Sequence, residues 1–268
     1  RLAVPTAIAA GCDIFLFNKD LDEDIRFMKE GIANGILTPE RIDEAVTRIL
    51  AMKAASHLPE KQTEARLVPP KEDLAVLKGE KHVEWAKQAA DNGITLVKDT
   101  ADNLPLRPEA TPRLLLQVIG PYEEANTQIT STVIPLLEKA GFRVTLYQPE
   151  DFTTGFESVS QFRSKYDAVL YLANVENRSN ATTTRINWYT FFGQGNNIPW
   201  FVDEVPTVFA SLGNPYHLMD VPMVKTYINA YDNHQAVLEA LVAKILGKSD
   251  FKGVSPIDPY CGLMDARR

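Results

Sequence analysis

Cysteine and histidine are scarce in this sequence. Of 268 residues, two are cysteine and four are histidine. Cys12 and Cys261 lie near opposite ends of the chain and form neither a disulfide framework nor a thiolate metal site, so we expect two unrelated thiols. The histidines have neither the H-E-x-x-H spacing nor a cysteine partner, and we expect no metal site. These histidines are His57, His82, His217 and His234.

Long apolar runs and an excess of positive charge are also missing. No run approaches the roughly 18 apolar residues of a transmembrane helix, so we expect no membrane span. Lys and Arg number 28 against 35 Asp and Glu, which gives a formal net charge of −7. This balance argues against nucleic acid or an anionic membrane surface as a partner. Hydrophobic residues make up 45% and charged residues 24%, proportions that are typical of a globular protein.

Motifs for nucleotide binding and serine hydrolysis are absent. Gly193 and Gly195 could open a dinucleotide-binding motif, but the third glycine is missing and no strand precedes them. The phosphate-binding pattern G-x-x-x-x-G-K-[ST] does not occur, and Ser211 lacks the first glycine of a G-x-S-x-G elbow. The glycosylation sequons at Asn177 and Asn180 match a three-residue pattern that recurs by chance. The sequence therefore predicts no cofactor.

The first 57 residues have the pattern of the end of an α/β unit. Residues 12–17 form a short apolar run, which predicts a strand covered on both faces. Asp20 and the acidic residues at 22–24 favour a helix N-terminus over a catalytic loop, and Gly35 suits the helix end. Thr38, followed by proline, predicts a second helix. The chain starts without Met, so we expect a piece of a longer protein, and its localisation stays open.

The remainder of the chain alternates between helix and strand signals. Residues 58–71, with a broken pattern and a Pro-Pro pair, are predicted to be a linker. Strands are predicted at 94–97, 114–119, 142–147, 168–172, 199–202, 207–211 and 224–228, and helices at 80–92, 126–140, 156–165, 183–193 and 234–246. This alternation implies parallel pairing through right-handed crossovers. Residues 72–268 are therefore predicted to form a doubly wound, mostly parallel sheet in a three-layer αβα sandwich.

Three stretches resemble the family 3 glycoside hydrolases. Residues 9–16 (AAGCDIFL) with 31–53 (GIANGILTPERIDEAVTRILAMK) are similar to the last strand and helices of that family's catalytic (β/α)8 barrel. Residues 94–99 (ITLVKD), with LPL at 104–106, resemble the opening of its α/β sandwich domain. Residues 211–218 (SLGNPYHL), with YINAY at 227–231, are closer to the β-N-acetylhexosaminidase branch than to the β-glucosidases.

The resemblance implies retaining glycoside hydrolysis by a carboxylate nucleophile and an acid/base group. In this branch the nucleophile is an Asp in an Asp-x-x-Met setting, and the acid/base is a His on a Lys-His-Phe-Pro-Gly-like loop. The chain begins after both. His82 follows a lysine but precedes no Phe-Pro-Gly, and Asp220 matches Asp-x-x-Met by accident, near the end of the sandwich. We therefore expect no catalytic, cofactor-binding or metal-binding residue here.

The domain assignment that follows has residues 1–57 as the remnant of the barrel, 58–71 as the linker and 72–268 as the complete sandwich. The expected partner is the missing barrel, or a second copy through residues 1–57, with a glycan as substrate of the parent protein only. Residues 251–262 replace the Gly-x-Leu-Pro ending of many members. Two alternatives remain open: a carbohydrate or small-ligand binding module that uses the crevice of the sheet, and a fragment of a family 3 β-glucosidase.

Overall fold

The structure is a computed structural model. The structure describes residues 2–148, 158–177, 184–188, 190–191, 194–195 and 197–268. The chain divides into two compact units, Arg1–Leu77 and Lys78–Arg268. None of the described helices is both long and apolar enough to cross a membrane.

The regular secondary structure of the first unit is entirely helical among its described residues. Its helices are α1 (Ala3–Ala9), α2 (Leu21–Ala33), α3 (Pro39–Ala55) and α4 (Leu58–Thr63), followed by a 3-10 helix at Lys71–Val76. The predicted caps of α2 and α3 are present, because the side chain of Asp20 accepts a hydrogen bond from the Glu23 N–H and that of Thr38 accepts one from the Arg41 N–H. Both helices thus begin where the sequence predicts.

The strand predicted at residues 12–17 does not form. The segment is irregular, and no strand occurs among the described residues of the first unit. Arg41 donates instead to the carbonyl oxygens of Ile8 (2.9 Å) and Cys12 (3.0 Å), and it pairs with the carboxylate of Asp13 at 2.7 Å. Because a strand needs ladder partners that this unit lacks, the apolar run lies exposed, up to 97% at Phe17.

The predicted linker at residues 58–71 is partly helical. Helix α4 occupies its first half, and the 3-10 helix begins at its last residue. Polar residues and the prolines suggested an irregular connection, but proline is compatible with the first turn of a helix, and Pro59 lies there in α4. The division between the two units lies at Leu77 and Lys78, a few residues beyond the predicted linker.

The second unit contains a six-stranded mixed sheet. Its strands are β1 (Thr95–Asp99), β2 (Arg113–Ile119), β3 (Arg143–Leu146), β4 (Ala168–Ala173), β7 (Thr207–Ser211) and β8 (Thr226–Asn229), while β5 (Thr190–Phe191) and β6 (Gln194–Gly195) form a separate pair. The order is β1-β8-β7-β4-β2-β3, and every pairing in it is parallel except the antiparallel β1–β8. The predicted α/β sandwich with a mostly parallel sheet is confirmed.

The two faces of this sheet are covered differently. Helices α5 (Glu80–Gly93), α6 (Glu123–Ala140) and α8 (Gln235–Ile245) pack on one face, around buried residues such as Val133 and Leu241. The other face is covered by the short helix α7 (Val159–Lys165), by a turn that contributes Phe201 and by a 3-10 helix (His217–Met219) that contributes Leu218. Gly141 ends α6 with φ 111°, a backbone conformation that glycine adopts without strain.

Two predicted elements of the second unit are wrong. Residues 199–202 form turns, because Phe201 stacks on Phe162 at 4.1 Å between ring centroids and covers the sheet without joining it. The helix predicted at 183–193 falls partly outside the described residues. Its described part is irregular at 184–188 and extended at Thr190–Phe191. Both segments supply apolar side chains to a core face, but their apolar residues do not repeat with the period of a helix or a strand. The sequence prediction depended on such a period.

Candidate functional site

A pocket opens at the carboxyl ends of three neighbouring parallel strands of the second unit. It has a volume of about 590 Å³ and is lined by residues 176–177 after β4, 212–216 after β7 and 231–234 after β8, together with Thr184. The crevice at the carboxyl ends of the strands is where open α/β sheets bind ligands. We call it the β4–β7–β8 pocket.

The wall that follows β7 is held by buried hydrogen bonds. The hydroxyl of Ser211, at the end of β7, donates to the carbonyl oxygen of Asn214. The side-chain oxygen of Asn214 accepts from the Tyr216 N–H at 2.9 Å, and the side chain of Asn229 donates to the carbonyl oxygen of Pro215 at 3.2 Å. These bonds satisfy the carbonyl oxygens of Asn214 and Pro215 and the N–H of Tyr216, and they fix the backbone of the loop.

His217 joins this wall to the segment that carries Thr184. Its Nε2 lies 2.9 Å from the carbonyl oxygen of Thr184, and its Nδ1 lies 2.7 Å from the Ser211 hydroxyl. Nε2–H donates to the Thr184 carbonyl, and the single proton of the Ser211 hydroxyl is shared between the Asn214 carbonyl and Nδ1, an arrangement that suits a neutral ring. Burial lowers the pKa of His217, which keeps the ring neutral.

The wall that follows β4 is joined to the loop after β8 by one side-chain amide. The Asn233 amide donates to the Asn174 side-chain oxygen and to Oε1 of Glu176, each at 2.8 Å. Gly213 packs against Glu176, because a Cβ at Gly213 would lie only 2.6 Å from Glu176 Cγ. The carboxylate of Glu176 is thus oriented at the pocket wall by two neighbours.

Residues 231–234 complete the pocket before helix α8. Tyr231 has φ 66°, a left-handed conformation that costs a tyrosine free energy, and such strain concentrates at functional sites. Its hydroxyl donates to the Thr95 side chain at 3.0 Å. Asp232 accepts from Nδ1 of His234 at 2.7 Å and from the N–H of Asn233 and of His234, and these contacts outweigh desolvation and hold its pKa below the ordinary value.

The structure brings together Ser211 with His217, and Asn177 with His234 at the pocket, whereas the other residues weighed in the sequence form no common site within the described residues. His57 precedes α4 with φ 51°, and His82 lies beside Trp85 on α5. Asp220 forms an ion pair with Arg185 at 2.5 Å and accepts from the Ile186 N–H at 3.3 Å. Cys12 and Cys261 are both exposed free thiols. Within the described residues no group of three or more His, Cys, Asp or Glu could hold a metal ion.

Of the pocket residues, His234 was noted in the sequence as one of four histidines, Asn177 as a sequon, and residues 212–216 and Tyr231 within stretches that resemble the family, none of them as part of a site. Glu176, Asp232 and Asn233 carried no motif, because their proximity results from the order of the strands. A signal was nevertheless present: each group directly follows a predicted strand, at 168–172, 207–211 and 224–228, and strand ends meet at one edge of a parallel sheet.

The family of the chain is shown by individual related proteins. No family model matches the sequence. The chain is 43% identical over 269 residues to a β-N-acetylglucosaminidase/β-glucosidase of Cellulomonas fimi, covering 98% of this chain and 47% of the relative. It spans about half the length of this curated relative.

Solved structures agree with this assignment. A β-glucoside phosphorylase, BglX, is 41% identical with a TM-score of 0.79, over 99% of this chain and 47% of that one. A glycoside hydrolase family 3 β-N-acetylglucosaminidase from Paenibacillus sp. str. FPU-7 shares the fold at 20% identity, with a TM-score of 0.59 over 94% of this chain and 46% of that one. The chain therefore belongs to the family 3 glycoside hydrolases, as the C-terminal part of such a protein.

Proposed function

We propose that the whole protein cleaves β-linked N-acetylglucosamine or glucose from glycans by the retaining mechanism, and that this chain supplies its accessory sandwich without a catalytic group. The observation that carries the proposal is the 43% identity, over nearly the whole chain, to a β-N-acetylglucosaminidase/β-glucosidase. A retaining enzyme needs two catalytic groups about 5 Å apart that flank the anomeric carbon. Asp220, the one match to the family's nucleophile motif, is committed to Arg185 and the Ile186 N–H.

Residues 1–57 are, in this proposal, the part of the barrel that the chain retains. Their exposed apolar side chains support it, because residues 12–17, α2 and α3 leave several uncovered that barrel strands would bury. Ile14, Leu16, Ile25, Ile32, Val46 and Leu50 are each at least 40% exposed. The partner of this surface is then the missing barrel of the same protein.

Phosphorolysis is a second candidate for the whole protein. It is favoured by the 41% identity to a β-glucoside phosphorylase over 99% of this chain. Phosphate would then replace water in releasing the sugar from the enzyme, and the product would be a sugar 1-phosphate. The two candidates differ in whether water or phosphate accepts the sugar in the barrel. Neither candidate assigns a catalytic group to this chain.

The test compares the 268-residue chain with the chain extended by its upstream residues. Both are assayed with aryl N-acetyl-β-glucosaminide and aryl β-glucoside, with and without inorganic phosphate. We expect no turnover by the 268-residue chain and turnover by the extended one. A sugar 1-phosphate product identifies phosphorolysis, and free sugar identifies hydrolysis.

Asp220→Asn in the extended protein provides the control. It removes the carboxylate of the one nucleophile-like motif and should leave the rate within about twofold, since only a group used in the transition state lowers the rate strongly. Turnover by the 268-residue chain that disappears in Asp220→Asn would contradict the proposal.

A further inference from the structure

We propose that the β4–β7–β8 pocket is a binding site for an uncharged or amine-bearing sugar unit. Its volume of about 590 Å³ falls within the range of small-molecule sites and accommodates more than one monosaccharide. Binding here requires no catalytic activity of the whole protein, so this proposal and the previous one can fail separately.

The charges of the pocket select against anions. Among the described residues that line it, Glu176 and Asp232 are acidic and none is lysine or arginine. Phosphorylated and carboxylated sugars would therefore meet repulsion, whereas hydroxyl groups can donate to the carboxylates and an ammonium group can pair with them. The same charges make inorganic phosphate an unsuitable occupant.

The pocket also provides an aromatic surface. Tyr216 is 43% exposed on the loop after β7, and its backbone is held by the side chain of Asn214. An aromatic side chain of this kind, apolar on its face and polar at its tip, suits a sugar ring with an apolar C–H face and a polar rim. Carboxylate, amide and tyrosine groups on three fixed loops are a set that can recognise vicinal hydroxyls.

The walls are organised before a ligand arrives. Ser211, His217 and Asn229 hold the loop after β7 from beneath, and Asn233 ties Glu176 to Asn174. A site whose walls are already fixed loses less conformational entropy on binding. We therefore expect weak but specific binding, with a dissociation constant of about a few millimolar for a monosaccharide.

The experiment is a titration of the 15N-labelled 268-residue chain, followed by amide chemical shifts. The probes are glucosamine, N-acetylglucosamine, glucose, glucose 6-phosphate and inorganic phosphate. We expect saturable shifts at Gly213, Tyr216 and Asn233 with the first three, largest at low concentration for glucosamine, and no shifts there with the two phosphates.

Matched variants locate the binding. Tyr216→Ala should weaken binding about tenfold through loss of the aromatic face, whereas Tyr122→Ala, which removes a tyrosine that is 38% exposed outside the pocket, should not. Gly213→Ala should also weaken binding, because its Cβ displaces Glu176. Gly93→Ala should have no effect, because a Cβ at that position meets nothing within 4 Å.

Three results would overturn the proposal. The first is the absence of pocket shifts up to about 50 mM of every sugar, roughly ten times the expected constant. The second is that Tyr216→Ala and Tyr122→Ala both fold and bind the sugars with equal affinity. If Tyr216→Ala does not fold, equal affinity of Gly213→Ala and Gly93→Ala for the sugars has the same meaning. The third is a pocket that responds to inorganic phosphate as it does to glucosamine.

Discussion

His217 is the residue through which mild acid should destabilise the second unit. Its burial lowers the pKa of the folded ring, with Arg185 acting in the same direction and Asp220 and the Thr184 carbonyl opposing it. Between the folded pKa and about 6.5 the unfolded chain therefore binds a proton that the folded chain excludes. The free energy of unfolding falls as the pH is lowered through this interval.

We expect His217→Gln to remove this pH dependence. From pH 7.5 to 5.5 the unmodified chain should lose up to about 1.4 kcal/mol more than the variant. Urea unfolding followed by tryptophan fluorescence measures this, because Trp85, Trp188 and Trp200 all belong to the second unit. His82→Gln, which removes an exposed histidine of α5, is the matched control. Identical pH profiles for the chain and for His217→Gln would show that the ring is not excluded from protonation.

A second residue-scale prediction concerns the buried lysine of α8. The Lys244 ammonium is fully buried and donates to Asp91 (3.0 Å), to the Ser249 hydroxyl (3.2 Å) and to the Asp250 carbonyl (2.6 Å). Lys252, with Ser249 and Lys244, holds the pKa of Asp91 well below its ordinary value. The negative charge of Asp91 therefore stabilises the folded chain at neutral pH. This contribution is lost as the pH falls below about 4.

Asp91→Asn should destabilise the second unit by about 2 kcal/mol at pH 7, because the buried Lys244 ammonium loses the carboxylate that pairs with it. Asp203→Asn is the matched control, since its partner Lys225 forms a pair in which the aspartate is 71% exposed. That exposed pair should contribute less than about 0.5 kcal/mol. The comparison is made by chemical denaturation, and equal effects of the two substitutions would contradict the importance of burial.

At the scale of elements, residues 251–268 act as a strap over the edge of the sheet. Tyr260 donates to the carbonyl oxygen of Val97 at 2.8 Å, and Lys98 donates to the carbonyl oxygen of Ala266 at 2.7 Å. A Cβ at Gly253 would lie 2.3 Å from the carbonyl oxygen of Gly93, so only glycine fits there. The strap covers β1, which pairs in the sheet with β8 alone.

Deletion of residues 254–268 should therefore destabilise the second unit by about 3 kcal/mol, through two lost hydrogen bonds and the exposure of apolar side chains. This corresponds to a fall in Tm of roughly 10 °C. The uncovered edge should also promote self-association, visible by size-exclusion chromatography. Tyr260→Phe removes one hydroxyl and should cost about 1 kcal/mol. An unchanged Tm after the deletion would mean that the strap does not hold the edge.

The elements predicted most accurately from the sequence are those whose ends carry strong local signals. Asp20, Thr38 and Gly141 marked helix ends through short-range hydrogen bonds or a required φ, and the structure has them there. The prediction failed where an apolar run is placed by distant partners. Residues 12–17 lack a neighbouring strand, and Phe201 packs on Phe162, 39 positions away. The crevice of the sheet was anticipated as an alternative ligand site, but its residues were not, because strand order is not encoded in any one segment.

At the scale of the whole molecule, the two units should unfold separately. The first has exposed apolar side chains and no described strand, whereas the second has two buried clusters on either side of its sheet. All tyrosines and tryptophans belong to the second unit. We expect helix loss by far-UV circular dichroism to begin below the transition seen by tryptophan fluorescence, which violates two-state behaviour. Coincident curves would show that the chain unfolds as one cooperative unit.

The bond from Lys98 to Ala266 has a consequence for the synthesis of this protein. It joins positions 168 residues apart, and β1 likewise pairs with β8, more than a hundred residues downstream. A ribosome that adds about 5–20 residues per second needs on the order of ten seconds or more between the two positions. During that time β1 is outside the exit tunnel with neither partner available. The nascent second unit therefore remains an incomplete sheet, with β1 unpaired and open to contacts with other chains, until its last residues have been synthesised.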